Sequence, residues 1–169
     1  MLYERYFTEI YRYLAGRLGP DAAEDLAAET FLAAFRARQK FDPARGAVRP
    51  WLYGIATNLV RQQQRAEQRG YNALARMPAE PDGADHQDGV AARVSAQQQR
   101  ACLASALAGL TAGDRDVLLL SAVAGLSYDE VAAALSIPPG TVGSRLNRGR
   151  RHLRVALIQA EPPRGNPST

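Results

Sequence analysis

The sequence predicts an all-α protein of two small helical bundles joined by a flexible linker. Three observations predict it: apolar residues recur at three- and four-residue spacings in two separate blocks, an acidic stretch bearing proline and glycine divides them, and neither a strand alternation nor a fixed-period repeat is present. The first block, from Leu2 to about Gln68, is interrupted at Gly19-Pro20 and again between Asp42 and Pro50, which cuts it into three helices. Asp21 with Glu24 reads as a capping box opening the second helix, and Pro50 fits the first turn of the third. From Gly70 to about Gly89 the composition changes to Pro78, Pro81, Gly83 and several acids, with little that could form a core. The second block begins near Val94 and is divided by Gly109, Gly113, Gly125 and Pro138-Pro139-Gly140 into about four helices. The expected organisation is a first domain over 1–69, a linker over 70–93, a second domain over 94–160 and a disordered tail over 161–169.

With 169 residues and a hydrophobic fraction of 46%, the chain can build compact helical cores. The 21 Lys and Arg against 17 Asp and Glu leave a net charge of +4, a modest lean toward a polyanionic partner. Lys40 is the only lysine, so the cations are almost all guanidinium forks suited to phosphate and guanine edges, although a GC-rich genome gives the same bias. Cys102 is alone, so no intrachain disulfide can form, and it is expected to be a small buried hydrophobe in a cytoplasmic protein. The N-terminus lacks a signal-like apolar core, and Val117 to Leu126 is too short to span a bilayer.

The second block carries DNA-binding grammar. Ser127 and Glu130 form the ends of a capping box that starts a short helix with Val131, Ala132 and Leu135 inward. The Ser136 to Gly140 turn then leads to a helix from Thr141, with Val142, Leu146, Leu153 and Leu157 expected inside. Its outer face bears Thr141, Ser144, Arg145, Arg148 and Arg151, donors able to enter a major groove. A solvated basic face is the plainer reading of such a helix, and the preceding cap and turn argue against it. In the first block the third helix buries Leu52, Ile55, Ala56 and Leu59, which would turn Gly54, Asn58, Arg61, Gln62 and Arg65 outward. Those amides and guanidinium groups suit unstacked bases and phosphates, and the loop from Asp42 to Arg49 could hold an extruded base. Trp51 is expected in the core. Asp25 and Glu29 lie four apart with Leu32 nearby, an unfavourable like-charge pair unless a basic partner surface meets it.

No phosphate loop, zinc-protease helix or nucleophile elbow occurs, and His86, His152 and Cys102 lie in unrelated segments, so neither catalytic residues nor a metal site nor a cofactor is expected.

Ala23-Glu24-Asp25-Leu26, Glu29-Thr30-Phe31-Leu32, Trp51 to Asn58, Gly125 to Ala132 and Pro139 to Leu146, in this order, closely resemble the extracytoplasmic-function (ECF) group of the sigma-70 family. The resemblance implies a transcription initiation factor keeping regions 2 and 4, with no small-molecule substrate. It implies that Asp25, Glu29 and Leu32 dock on the clamp helices of the polymerase β′ subunit, and that the second domain meets the β flap. Arg49, Asn58, Arg61, Gln62 and Arg65 would capture the melted −10 element, while Thr141, Ser144, Arg145, Arg148 and Arg151 would read the −35 element as duplex. The linker would run toward the RNA channels. It further implies control by an anti-sigma factor, often membrane-bound, since no fused sensor domain is expected. Three positions depart from the family pattern: Ala28 stands where glutamine is frequent, Gly54 where some members are basic, and Gly143 where lysine or arginine is common, the last weakening the helix by up to about 1 kcal/mol. A stand-alone helix-turn-helix regulator is the alternative, and it leaves the first domain without a purpose.

Overall fold

The computed structural model of the chain describes residues 1–44, 46–76 and 87–160, and among these there are helices and turns but no strand. Arg45, the middle of the expected linker (77–86) and the expected tail (161–169) lie outside the described residues.

In the first half, α1 spans Leu2–Leu18, α2 Pro20–Ala37, α3 Val48–Gln62 and α4 Gln64–Arg76, with a short 3-10 turn at Arg38–Lys40. Gly19 separates α1 from α2 at φ 87°, a left-handed conformation that favours glycine, and Pro20 occupies the first turn of α2. The helix therefore begins at Gly19-Pro20 and has no side-chain cap; Asp21 acts as a first-turn acid near the positive end of the dipole, not as the start of a capping box. A fourth helix is also present where three were expected, because α3 breaks at Gln63 and α4 continues to Arg76. The core joins Ile10, Tyr13 and Leu14 of α1, Ala23, Leu26, Ala27 and Ala34 of α2, and Leu52, Tyr53, Ala56 and Val60 of α3. The alanines of α2 let the helices approach closely. Two buried hydroxyls find partners inside this packing: Thr30 donates to the Leu26 carbonyl at 2.7 Å, and Thr57 lies 2.8 Å from the Tyr13 hydroxyl.

In the second half, α5 spans Gln87–Ala108, α6 Ala112–Ala122, α7 Tyr128–Leu135 and α8 Pro139–Ala160. The capping box at α7 forms as its sequence predicts: the Glu130 amide donates to Ser127 Oγ at 3.2 Å and the Ser127 amide to the Glu130 carboxylate at 2.8 Å. Ser136 ends α7 at φ 52°, and α8 starts at Pro139, two residues before Thr141. Val131, Ala132, Leu135, Val142 and Leu146 are buried, and Leu153 packs partly against them. Leu157 does not: it is 44% exposed, beside Val155 and Ile158, although its neighbour Ala156 meets Cys102 of α5. Cys102 is half-buried rather than buried, with its sulfur 3.7 Å from the Ala156 carbonyl oxygen. Trp51 is likewise half-buried, its ring 4.8 Å from that of Phe41.

The two halves pack directly on each other. Buried residues of α1, α2 and α3 and those of α6, α7 and α8 belong to one hydrophobic cluster. Helices α4 and α5 also extend into the expected linker, covering 70–76 and 87–93.

Candidate nucleic-acid and partner interface

The three predicted sets of residues fall on α2, on α3 with the start of α4, and on α8. On α2, Asp25, Glu29 and Leu32 are all exposed, and among the described residues no ion pair engages either acid. Their spacing of four and three residues places them on one face. Next to Leu32, at 47% exposure, stands Phe35 at 62%, with the Arg38 guanidinium 4.1 Å from its ring centroid. Phe35 was missed by the sequence reading, although an aromatic three positions from an exposed leucine is the signal that could have found it. Tyr3 packs edge-on against Phe31 at 5.0 Å and is itself 48% exposed, so an apolar surface continues from α2 onto α1.

On α3 the predicted residues divide. Asn58 and Gln62 are exposed, as the helical stripe requires. Arg65 is exposed too, but it lies on α4 beyond the break at Gln63. Gly54 is buried rather than outward: a Cβ there would overlap the carbonyl oxygen of Ala134 on α7. Arg49 and Arg61 are half-buried and both turn toward the second half. Arg49 Nε lies 2.9 Å from Glu9, and its Nη2 donates to the Ala124 carbonyl. Arg61 Nε lies 2.7 Å from Asp116 Oδ2.

Beside Arg49, burial pushes the Tyr53 phenol up to about 12, with the Glu9 carboxylate adding to the rise. A folded-state value above the ordinary tyrosine value of about 10 means the folded state holds its proton longer, so this contribution to stability is complete below pH 10 and lost as pH rises toward 12. Thermal unfolding midpoints between pH 9 and 12 are expected to fall, and Tyr53→Phe to flatten part of that fall; an unchanged slope in the variant refutes the assignment to Tyr53.

On α8, Ser144 and Arg151 are exposed, whereas Thr141 and Arg145 are half-buried, the Arg145 guanidinium lying beside Gly113. Arg148 grips Asp114 of α6 with two nitrogens, at 2.8 and 3.2 Å. That hydrogen bonding holds the Asp114 carboxyl below its ordinary range and raises Arg148.

Sequence reading also missed a buried ionic cluster between the halves. Arg17 Nε lies 2.6 Å from Glu67, and Arg115 reaches the other oxygen of Glu67 at 3.2 Å. Arg17 Nη2 sits 2.7 Å from Asp116 Oδ1, an ionic contact whose angle falls short of a hydrogen bond. Arg17, Glu67, Arg115 and Asp116 are all at most 4% exposed. Among the described residues no group of three His, Cys, Asp or Glu side chains is arranged to hold a metal ion, and no helix is long and apolar enough to cross a membrane.

The helix-turn-helix of α7 and α8, the polar face of α3 and the acidic-apolar patch of α2 suit a helical protein that binds nucleic acid and a protein partner. Residues 2–70 match Sigma-70 region 2, and residues 100–153 match Sigma-70, region 4. The chain is 33% identical over 143 residues to RNA polymerase sigma factor CnrH of Cupriavidus metallidurans, covering 82% of this chain and 74% of that protein. It is 34% identical over 156 residues to ECF RNA polymerase sigma factor SigC of Mycobacterium tuberculosis, covering 91% and 78%. With ECF RNA polymerase sigma factor SigE of Mycolicibacterium smegmatis it shares 35% identity over 161 residues, 94% of this chain but 61% of that longer protein. CnrH in complex with the cytosolic domain of CnrY superposes with a TM-score of 0.66 at 25% identity, covering 95% of this chain and 87% of that one. RpoE in complex with the anti-sigma factor NepR from Bartonella quintana gives 0.62 at 24% identity, covering 93% and 94%, a likeness of fold. The chain belongs to the ECF RNA polymerase sigma factors of the sigma-70 family, and its function is transcription initiation.

Proposed function

We propose that this chain docks on the clamp helices of core polymerase through Asp25, Glu29 and Leu32, with Phe35 extending the apolar part of the contact, and that its second half meets the β flap. Asn58, Gln62, Arg49, Arg61 and Arg65 take the melted −10 strand, where amides pair with exposed base edges and guanidinium groups neutralise phosphates. Thr141, Ser144, Arg145, Arg148 and Arg151 read the −35 duplex from the major groove. The factor contributes binding and strand capture, with no reaction step of its own, and works in the cytoplasm. An anti-sigma factor restrains it, as the cytosolic domain of CnrY is found on CnrH.

The observation that carries the reading is the presence on one chain of both sigma regions, with the acids of α2 exposed and the polar faces of α3 and α8 open to solvent at Asn58, Gln62, Ser144 and Arg151. Footprinting of holoenzyme on its promoter separates the two roles. Asn58→Ala with Gln62→Ala is expected to reduce permanganate reactivity of −10 thymines at least tenfold while keeping −35 protection. Ser144→Ala with Arg151→Ala is expected to weaken −35 protection first. Equal loss of both signals in both variants contradicts the assignment.

A further inference from the structure

We propose that Asp114 is a specificity residue for promoter DNA: it clamps one edge of the Arg148 guanidinium and so aims the other edge at a guanine of the −35 duplex. The inference rests on the reading of Arg148 as a contact to that duplex.

The acid is fixed from both sides. Asp114 stands in the first turn of α6, where its amide donates to Thr111 Oγ1 at 3.2 Å. The next residue, Arg115, fastens the turn between α5 and α6 through the Leu107 and Leu110 carbonyls. Helix α8 runs close by, since a Cβ on the buried Gly149 would meet the Asp114 carbonyl oxygen at 3.7 Å. The Asp114 side chain is 8% exposed and that of Arg148 57%. The carboxylate therefore acts from beneath the surface on a guanidinium that stays in solvent.

How the fork is held decides what it can read. Asp114 Oδ1 accepts from Arg148 Nη2 at 2.8 Å and Oδ2 from Nε at 3.2 Å, so the Nε–Nη2 edge is occupied. Among the described residues nothing accepts from Nη1. What is left is the end of the fork, Nη1 with the second hydrogen of Nη2, donors that point the same way. Guanine offers adjacent O6 and N7 acceptors in the major groove, whereas adenine pairs its N7 acceptor with an amino donor. An end-on fork matches guanine and not adenine. A guanidinium free to swing can give both edges to phosphates, which carry no sequence information.

Charge argues in the same direction. A carboxylate beside a DNA-reading helix repels the phosphate backbone and lowers affinity for every sequence alike. The Arg148 hydrogen bonds hold the Asp114 carboxyl below its ordinary range, so it is ionised at neutral pH. An ion pair with one partner mostly in solvent contributes little to stability, so the acid serves the aim of Arg148 more than the fold. Asp114→Asn keeps the shape and removes the charge. It is expected to raise general affinity for DNA while lowering discrimination, a pairing that loss of a merely structural contact does not produce.

Holoenzyme is bound to duplexes that carry the −10 region upstream of its own gene and a randomised −35 segment, and the bound pool is sequenced. Wild type is expected to enrich guanine at a position that Arg148→Ala no longer reads. There Asp114→Asn lowers the preference for guanine over adenine by at least about fivefold, as loss of a bidentate base contact requires. Other positions keep their preferences, and binding to a non-promoter duplex rises. Added to Arg148→Ala, Asp114→Asn changes nothing further at that position. Wild type also discriminates there against 7-deazaguanine, which lacks the N7 acceptor, a readout that needs no variant. Thermal unfolding checks the fold. A guanine preference kept by Asp114→Asn, or lost equally at every −35 position, overturns the positioning role and leaves Arg148 as a base reader. Indifference of wild type to 7-deazaguanine overturns the end-on geometry. If Arg148→Ala keeps every preference, the reading of Arg148 as a −35 contact fails, and the role of Asp114 falls with it.

Discussion

Reversing both acids on α2, Asp25→Arg with Glu29→Arg, is expected to weaken recruitment to core polymerase at least a hundredfold and to leave the chain folded. Both side chains are exposed, and among the described residues neither is engaged in an ion pair, so the substitution breaks nothing within the protein. The local charge passes from two negatives to two positives. Against a basic partner surface each reversed contact turns an attraction of about 1 kcal/mol or more into a repulsion of similar size. Summed over two positions the loss is at least a hundredfold in affinity, by the rule of about 1.4 kcal/mol per factor of ten. Surface-immobilised core polymerase measures it directly, with thermal unfolding of the free variant as the fold control. Wild-type affinity in the double variant places the docking face elsewhere. Leu32→Asp, removing the apolar neighbour, is expected to weaken binding less.

The largest effect on stability is expected at Arg115. Its guanidinium donates to the carbonyls of Leu107 at 2.8 Å, Ala108 at 3.2 Å and Leu110 at 3.0 Å, and to Gln68 at 3.2 Å, besides its contact with Glu67. It therefore ties the turn between α5 and α6 to α4. Arg115→Ala removes the donor to the Leu110 carbonyl, leaves the Leu107 and Ala108 carbonyls with only the Leu110 amide and Gln68 Nε2, and leaves Glu67 with Arg17 as its single cation; breaking such a site costs about 3–5 kcal/mol. Arg115→Lys does not restore it, because one ammonium cannot serve a fan of acceptors that the planar fork reaches together. Urea unfolding reads the loss as a lower midpoint with an unchanged slope. A shift worth less than about 1 kcal/mol contradicts the role given to this network.

The residues that sequence reading placed well are those whose environment is local. Ser127 and Glu130 lie within one turn of each other, and their reciprocal hydrogen bonds need nothing from the rest of the chain. Asn58 and Gln62 follow from the stripe of Leu52, Ala56 and Leu59 behind them. Where an environment comes from a distant segment, periodicity gives no warning. Leu157 has the spacing of a core residue, yet it is 44% exposed. Gly54, Arg49 and Arg61 carry the polar or small character of a solvent face, yet α6, α7 and the Ala124 turn lie across them. Arg17, Glu67, Arg115 and Asp116 look like four unrelated surface charges in the sequence, and only the packing of the two halves brings them into one buried cluster. The start of α2 shows the same limit at short range, since the cap was decided by the positive φ of Gly19 rather than by the nearest acid.

Promoter-specific transcription in vitro is the most direct test: the purified chain is mixed with sigma-free core polymerase and a template carrying the region upstream of its own gene, and transcript starts are mapped. Transcripts from one discrete start, dependent on the chain and lost with Asp25→Arg/Glu29→Arg, are expected. Binding to the duplex without association with core and without a defined start contradicts the assignment and points instead to a stand-alone DNA-binding regulator.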